Sequence, residues 1–359
     1  MGASKGKILL DYRENLQGAR YAFACMNFMA DPADLPIEEG QCPDIVNCDV
    51  DIAYNVSRRQ GYTQEVAGRV RSCWSNNARS YCVFNDKISI FNGYNIIPVA
   101  TSPTITEPIL EFKQCNDVVV YSDNVNIGII DHDVCYPIDK LNQWVDVADV
   151  ETWIQTNYPA DPTQLPSNFE VDAFKLKTFA GMCLEFFNGT LYMAVDNFVY
   201  CTKAFDMEHM DIRYNVVAGF PEPVTMIARV SDGLFVGTTK SVYFLSGTGY
   251  TADENGVISG GFTQRQVAMY GAVYGTQVRV QSQLVPDAQA SDTVVLFATP
   301  IGVLCGSNGG KITNLSQNQI AMPYGTSGTA IFKEDKGIYQ YIVSFNDVQG
   351  SSFINQFVN

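Results

Sequence analysis

The sequence predicts an all-β protein, and more specifically a β-propeller of six or seven blades with one short helical and loop insertion. Three observations lead to this fold class. A unit of two short apolar runs joined by a polar turn recurs along the chain, and its copies lie roughly 35 to 50 residues apart or about twice that. Gly, Asn, Ser, Thr, Tyr and Val are plentiful, whereas charged residues make up only 17% of the 359 residues. That composition is typical of strands joined by tight turns.

The recurring unit is clearest in "NGTLYMAVDNFVYC" (188–201) and "DGLFVGTTKSVYFL" (232–245), which match almost position for position. Alternation of apolar and polar residues lets one strand face pack while the other faces water. Gly, Asn and Asp supply the positive φ angles of hairpin turns. One hairpin is not stable alone, so repeated hairpins indicate packed blades. Further copies lie at 79–91, 116–130, 301–315 and 336–345.

The spacing of the units sets the expected number of blades. Their first strands begin near residues 81, 118, 191, 234, 303 and 339, which gives steps of 37, 73, 43, 69 and 36. Each long step contains an unrecognised unit or an insertion. Residues 141–170 fit an insertion, with a short helix at about 147–157 and then a Pro-rich loop. Residues 262–285 fit the outer strands of a blade. The alternative fold is two packed β-sheets that carry similar hairpins.

The first 65 residues do not show the repeat and form a separate N-terminal segment, with the propeller over 66–359. The end of this segment predicts a hairpin, in which "IVNCDVD" is followed by a turn near 53–55 and by "VSRRQGY". The segment either adds a strand that closes the ring or forms an arm that docks on a neighbour.

Charge and cysteine content narrow the class of protein. The formal net charge is -15, and a nucleic-acid reader needs a basic face to neutralise phosphates. An acidic surface repels DNA, which suits a passage that DNA crosses without sticking. No apolar run of about 20 residues could span a bilayer, and no signal peptide is evident, so we expect synthesis in the cytoplasm. The ten cysteines form no CxxC pair, and Cys82, Cys201 and Cys305 fit buried free thiols.

The sequence shows little that predicts catalysis. His132 and His209 are the only histidines. The stretch "DHD" (131–133) fits a solvated turn better than a metal site, and His209 lies in an acidic loop. There is no GxSxG nucleophile motif, no sialidase-type SxDxGxTW box and no telling pair of carboxylates. We therefore expect no enzyme activity, no catalytic residue, no cofactor and no metal ion.

Several segments, in order, resemble a family of tailed-bacteriophage virion structural proteins with propeller-like repeats. The resemblance covers roughly residues 46 to 345, and "VTMIARVSDGLFVGTTKSVYFLSG" (224–247) is its most specific part. The chain departs from the family at Gln60, where Pro is usual, and in the insertion at 141–170. The other segments are "VNCDVDIAYNVSRRQGYTQ" (46–64), "SCWSNNARSYCVFNDKISIF" (72–91), "LEFFNGTLYMAVDNFVYCTKAFD" (184–206), "GAVYGT" (271–276) and "ATPIGVLCGSNGGKITNLSQ" (298–317).

The resemblance implies a virion component at the tail or head-to-tail connector, a nozzle or hub in multiple copies around the tail axis. Its partners would be other copies of the chain and other tail or connector proteins. The resemblance carries over no catalytic residue.

Structural turn residues and contact residues complete the predicted set. Four glycines need a permissive backbone or close packing: Gly189, Gly233, Gly237 and Gly302. Arg58 and Arg59 are candidate contact residues, between subunits or within one, with a plain exposed hairpin as the alternative.

Two other functions stay open. A receptor- or carbohydrate-binding module at the tail tip would use loop tyrosines, of which the chain has 19 in all. A hydrolase on the same fold is the third possibility.

Overall fold

Strands form nearly all of the regular structure. The computed structural model describes residues 21–22, 48–50, 55–58, 68, 70–76, 78–93, 95–138, 175–252, 257–285, 293–316, 325–335 and 338–346. Regular structure in these ranges comprises β-strands and two short 3-10 turns, Ser282–Leu284 and Asn308–Gly310. Among the same residues, no helix has the length and apolar character needed to cross a membrane.

The N-terminal strands form a small sheet of their own. They are β1 (Tyr21–Ala22), β2 (Cys48–Val50) and β3 (Asn55–Arg58), in the order β1-β3-β2. Strands β2 and β3 pair antiparallel, with Cys48 opposite Arg58. This pairing is the hairpin that the sequence predicts at the end of the N-terminal segment.

Five four-stranded antiparallel sheets follow one another along the chain, and in each sheet the strands lie side by side in sequence order. This is the blade arrangement of a β-propeller, and the chain is all-β with five such blades. Blade 1 contains β4 (Val70–Ser75), β5 (Ser80–Phe84), β6 (Lys87–Phe91) and β7 (Ile96–Pro98), and blade 2 contains β8 (Glu111–Cys115), β9 (Val118–Ser122), β10 (Ile127–Asp131) and β11 (Val134–Pro137).

The third blade skips one strand. Strand β12 (Lys175–Lys177) pairs with β16 (His209–Asp211) outside the blade. Blade 3 contains β13 (Met182–Phe187), β14 (Thr190–Val195), β15 (Phe198–Cys201) and β17 (Val216–Gly219). Blade 4 contains β18 (Val224–Val230), β19 (Gly233–Thr238), β20 (Val242–Ala252) and β21 (Ile258–Ala268), and blade 5 contains β22 (Val278–Gln281), β23 (Thr293–Thr299), β24 (Gly302–Ser307) and β25 (Lys311–Asn314).

The predicted six or seven blades are not confirmed. The first four recurring units are the second and third strands of blades 1 to 4, and the fifth unit (301–315) is the third and fourth strands of blade 5. The sixth unit belongs to a two-stranded hairpin of β26 (Ser327–Asp335) and β27 (Ile338–Asn346). The step of 69 residues contains the long strands β20 and β21 of blade 4 and then β22 and β23 of blade 5, and no further four-stranded sheet among the residues described there. The predicted insertion at 141–170 lies outside the described residues.

Short hairpin turns carry the backbone conformations that the turn residues favour. The β5–β6 turn places Asn85 and Asp86 at φ angles of 47° and 62°, and the β13–β14 turn places Asn188 and Gly189 at 48° and 80°. Two successive residues with positive φ match the right-handed twist of paired strands, which explains the Asn, Asp and Gly at these positions.

The chain divides into two compact units. One comprises residues 65–271 and 308–310 and holds blades 1 to 4, and the other comprises 1–64, 272–307 and 311–359. In the first unit, apolar side chains of neighbouring blades share a core, as with Ile88 of blade 1 and Tyr121 of blade 2. In the second unit, Val294 and Leu296 of blade 5 pack with Phe332 and Tyr341 of the β26–β27 hairpin.

Candidate functional site

A surface pocket of ≈ 550 Å³ lies at one end of blades 1 and 2. Three turns form it: β4–β5 and β6–β7 of blade 1, and β10–β11 of blade 2. Its size falls within the range of small-molecule sites, about 300–1,000 Å³. The lining residues are Asn76, Ala78, Arg79, Ser80, Ile90, Phe91, Asn92, Gly93 and Asp133.

The β4–β5 turn is fixed by the side chain of Asn76. Its Oδ1 accepts hydrogen bonds from the backbone N–H groups of Ala78 (2.8 Å) and Arg79 (2.7 Å). Its Nδ2 donates to Oε1 of Gln114 on blade 2 at 3.1 Å. An Asn that bonds the backbone two and three residues ahead stabilises a tight turn. The base of the Arg79 side chain is thereby held in place.

The β10–β11 turn brings a carboxylate to the same place. His132 and Asp133 have φ angles of 46° and 63°, so a two-residue turn presents Asp133 toward blade 1. Oδ1 of Asp133 accepts hydrogen bonds from Nε of Arg79 (3.0 Å) and from the Tyr81 hydroxyl (2.9 Å). Asp133 is 54 positions from Arg79 and 52 positions from Tyr81 in the sequence, so both hydrogen bonds connect blade 2 to blade 1.

The environment of this cluster shifts the pKa values of Tyr81 and Arg79. Burial raises the pKa of Tyr81 to about 12, and the hydrogen bond to Asp133 acts in the same direction. Tyr81 therefore remains a hydroxyl donor at neutral pH. The hydrogen bond to Asp133 also raises the pKa of Arg79, which keeps the guanidinium charged. Arg79 and Asp133 together form a neutral pair at the pocket wall.

The end of strand β6 contributes apolar side chains to the pocket lining. Phe91 is 37% exposed, and Ile90 packs partly into the core behind it. Gly93 has a φ angle of 93°, and a Cβ atom there would meet no atom within 4 Å. The pocket lining therefore combines an exposed ring with a charged pair.

A second charged cluster ties the first strands of three blades together. Glu185 of β13 is 5% exposed, and its Oε1 lies 2.6 Å from Nζ of Lys113 on β8 and 3.9 Å from Nε of Arg229 on β18. Glu185 also accepts hydrogen bonds from the backbone N–H groups of Phe186 and Arg229. Because a buried charge is tolerated when it is paired and hydrogen-bonded, this cluster is a structural link between blades 2, 3 and 4.

The two histidines occupy different environments. His132 has an exposed side chain in the β10–β11 turn, with Nδ1 2.6 Å from Oδ1 of Asp131. His209 is buried on β16, and its Nδ1 lies 2.9 and 3.0 Å from the two carboxylate oxygens of Asp206. No group of three or more His, Cys, Asp or Glu side chains within the described ranges is arranged to hold a metal ion.

The four predicted structural glycines take different roles. Gly189 lies in a turn at φ 80°, where a Cβ would crowd the Phe205 ring. Gly233 and Gly302 begin strands β19 and β24, and a Cβ would meet the Leu245 carbonyl oxygen and the Ser316 hydroxyl respectively.

The last glycine and the two arginines lie elsewhere. Gly237 lies inside strand β19 rather than in a turn, paired with Met226 and Val242. Arg58 ends strand β3, but its side chain and all of Arg59 lie outside the described residues.

Cys82, Cys201 and Cys305 are free thiols and are buried in strands, as the sequence predicts. Burial raises the pKa of Cys82 and of Cys305 to about 11, and that of Cys201 to about 12. Since the thiolate is the reactive form, these side chains act as small apolar groups.

Comparison with known proteins gives resemblances to solved structures only. No protein-family model matches the chain, and no curated protein sequence matches it. The extracellular domain of a hybrid two component system, BT4673 from B. thetaiotaomicron, has 10% identity and a TM-score of 0.42 over 80% of this chain, which spans 34% of that structure.

Two further structures are similar at the same level. The N-terminal domain of Nup159 has 9% identity and a TM-score of 0.39, with 78% of this chain and 74% of that one covered. A luciferin-regenerating enzyme has 10% identity and a TM-score of 0.38, with coverages of 75% and 82%. At these identities and TM-scores the likeness carries no inference about function.

Sequence reasoning missed the residues that form the pocket. The "DHD" stretch (131–133) indicates a solvated turn or a metal site by sequence, although two turn residues between strands also place Asp133 at a projecting position. Glu185 was also missed, and its signal is a carboxylate within the apolar strand "LEFF". A charge at such a position needs a buried partner.

Proposed function

We propose that the chain is a structural component of a tailed-bacteriophage virion, at the tail or head-to-tail connector, assembled in multiple copies around the tail axis. One observation supports this above others. Two of the segments that resemble the virion family fall on the hairpins of successive blades: 184–206 covers most of β13 and all of β14 and β15, and 224–247 covers β18, β19 and the start of β20. The resemblance therefore lies in the residues that build the scaffold.

A long hairpin in blade 4 supports assembly into multiple copies. Strands β20 and β21 have 11 residues each, whereas the other strands of blades 1 to 4 have 3 to 7. Its outer half packs against Tyr192 of blade 3 and against Tyr214, which precedes β17. Tyr250 stacks on Tyr214 with ring centroids 6.0 Å apart, and Phe262 meets Tyr192 edge-on at 5.8 Å. The hairpin is therefore held in one orientation rather than left to move freely.

The outer part of this hairpin presents apolar side chains to solvent. Val257 is 60% exposed and Ile258 is 37% exposed. A rigid arm with exposed apolar residues fits a contact with a neighbouring subunit, because a segment that is already ordered loses little conformational entropy on binding. The net charge of -15 fits an inner surface that DNA passes without binding.

The copy number in particles tests the proposal. Quantitative mass spectrometry of purified virions of the encoding phage should find the chain in several copies per particle. Its absence from complete particles would refute the proposal.

A surface substitution tests the role of the hairpin. Val257→Asp with Ile258→Asp should shift assembled protein toward monomer in light-scattering measurements, because two charges enter the contact. Val125→Asp, at a 66% exposed position in blade 2, is the matched control. If both variants associate to the same degree, the hairpin does not form the contact between copies.

A receptor- or carbohydrate-binding role at the tail tip stays the second candidate, and the pocket between blades 1 and 2 favours it. A hydrolase activity would require turnover of a host polysaccharide.

A further inference from the structure

The pocket at the end of blades 1 and 2 has hydrogen-bonding capacity that the protein leaves unused. Oδ1 of Asp133 is occupied by Arg79 and Tyr81, whereas Oδ2 accepts no hydrogen bond from the described residues. Arg79 uses Nε for Asp133, and one terminal nitrogen makes a long contact of 3.4 Å to the Ala78 carbonyl oxygen. An acceptor and a charged donor therefore remain side by side at the pocket wall.

The accessibility of these groups fits a ligand site. The Arg79 side chain is 53% exposed and that of Asp133 is 31% exposed. Both are nevertheless held in place, by the Asn76-bonded turn on one side and by the Tyr81 hydroxyl on the other. Groups that are fixed before binding lose little conformational freedom when a ligand arrives.

The charge of the pocket wall selects among ligands. Because Arg79 is paired with Asp133, an anion would gain from the guanidinium but be repelled by the carboxylate. A cation would be attracted by the carboxylate but repelled by the guanidinium. A neutral ligand with adjacent hydroxyl groups can donate to Oδ2 of Asp133 and accept from Arg79 at once, since each hydroxyl is both donor and acceptor.

The apolar part of the lining completes the recognition. Phe91 lines the pocket with a side chain that is 37% exposed. A pyranose ring has hydroxyl edges and a flatter C–H face, so it matches a pocket that is lined by both a charged pair and an aromatic ring. We infer that this pocket is a binding site for a neutral saccharide, with Asp133 and Arg79 contacting hydroxyls and Phe91 packing on the sugar face. The site does not depend on the proposed virion role.

Calorimetric titration of the full-length protein tests the site. The probes are glucose, galactose, mannose and N-acetylglucosamine, their disaccharides, and purified neutral polysaccharide from bacterial surfaces. We expect saturable binding of at least one of them, and weak binding is sufficient because the pocket is open. Binding of a free sugar would show that the ligand can be a small saccharide, and binding of the polysaccharide alone would show that the ligand is a polymer. Either outcome would support the site. No saturable binding of any probe would overturn the inference.

Variants locate the binding. Asp133→Asn, Arg79→Met and Phe91→Ala should each weaken it at least tenfold. Asp117→Asn in the β8–β9 turn and Phe205→Ala on blade 3, where the ring is 75% exposed, should leave it unchanged. Circular dichroism confirms that each variant is folded. Phe91→Ala removes no side-chain hydrogen bond, so it keeps the test usable if Asp133→Asn unfolds. Unchanged binding in all three pocket variants would refute the assignment, as would tighter binding of glucuronic acid or inorganic phosphate.

Discussion

Replacing Glu185 by Ala is expected to destabilise the first compact unit strongly. The change removes the carboxylate that pairs with Lys113 at 2.6 Å and leaves the backbone N–H groups of Phe186 and Arg229 without this acceptor. Removing one partner of a buried ion pair lowers the free energy of unfolding by about 3–5 kcal/mol. The side chains of Lys113 and Arg229 are 26% and 36% exposed, so water offsets part of this cost. We expect a loss of about 3 kcal/mol.

Chemical and thermal unfolding measure this loss. Glu185 lies in the unit of residues 65–271 and 308–310. For a unit of that size, 3 kcal/mol corresponds to a Tm lower by roughly 6–12 °C. Urea unfolding followed by circular dichroism gives the free energy, and calorimetry gives the Tm. Asp117→Asn, in an exposed turn, should change stability by less than about 0.5 kcal/mol.

A double-mutant cycle isolates the ion pair from the other losses. Lys113→Ala and Glu185→Ala are compared singly and together, and the coupling free energy should be at least about 1 kcal/mol. A loss of less than about 1 kcal/mol in Glu185→Ala, or strict additivity in the cycle, would refute the account of Glu185 as an inter-blade link.

Three further expectations can be checked with purified protein. Gly302→Ala should cost about 1–3 kcal/mol in urea unfolding, because φ is 141° and the new Cβ meets the Ser316 hydroxyl; an unchanged midpoint would contradict the strain. Iodoacetamide with peptide mass spectrometry should modify exposed Cys73 before buried Cys183, whose pKa burial raises well above the usual thiol value. Burial raises the pKa of Asp211, but hydrogen bonds from Arg213 outweigh this effect, so the pKa is lowered. The stability it contributes is present above the unfolded-state pKa, about 3.9, and is lost as pH falls through the lower folded-state pKa. Asp211→Asn should flatten the pH dependence of the urea midpoint in that acidic window.

The hairpins could be predicted from sequence because their signal is local. The runs at 188–201 and 232–245 carry strict alternation and turn residues, and they are the second and third strands of blades 3 and 4. The predicted blade number is not confirmed, because an alternating hairpin does not reveal how many further strands join it. The unit at 336–345 has the same local pattern but pairs in a two-stranded hairpin. The length of β20 and β21 likewise increases the distance in sequence between the units that begin near residues 234 and 303, without adding a blade.

The candidate site could not be predicted because it depends on contacts between blades. Arg79 and Asp133 are 54 residues apart, and only the alignment of two neighbouring blades brings their turns together. Each residue alone reads as an ordinary polar turn residue. Phe91 is the last residue of an apolar strand by sequence, which predicts burial, whereas its side chain is 37% exposed in the structure.

Immunogold electron microscopy of intact virions tests the central claim most directly. Antibody against the purified chain is applied to particles of the encoding phage, and particles lacking the gene product serve as the negative control. A structural role at the tail or connector predicts gold at the neck or along a short tail, in several copies per particle. Gold only at the distal tip would contradict that position in favour of receptor binding, and complete particles without gold would contradict the virion role.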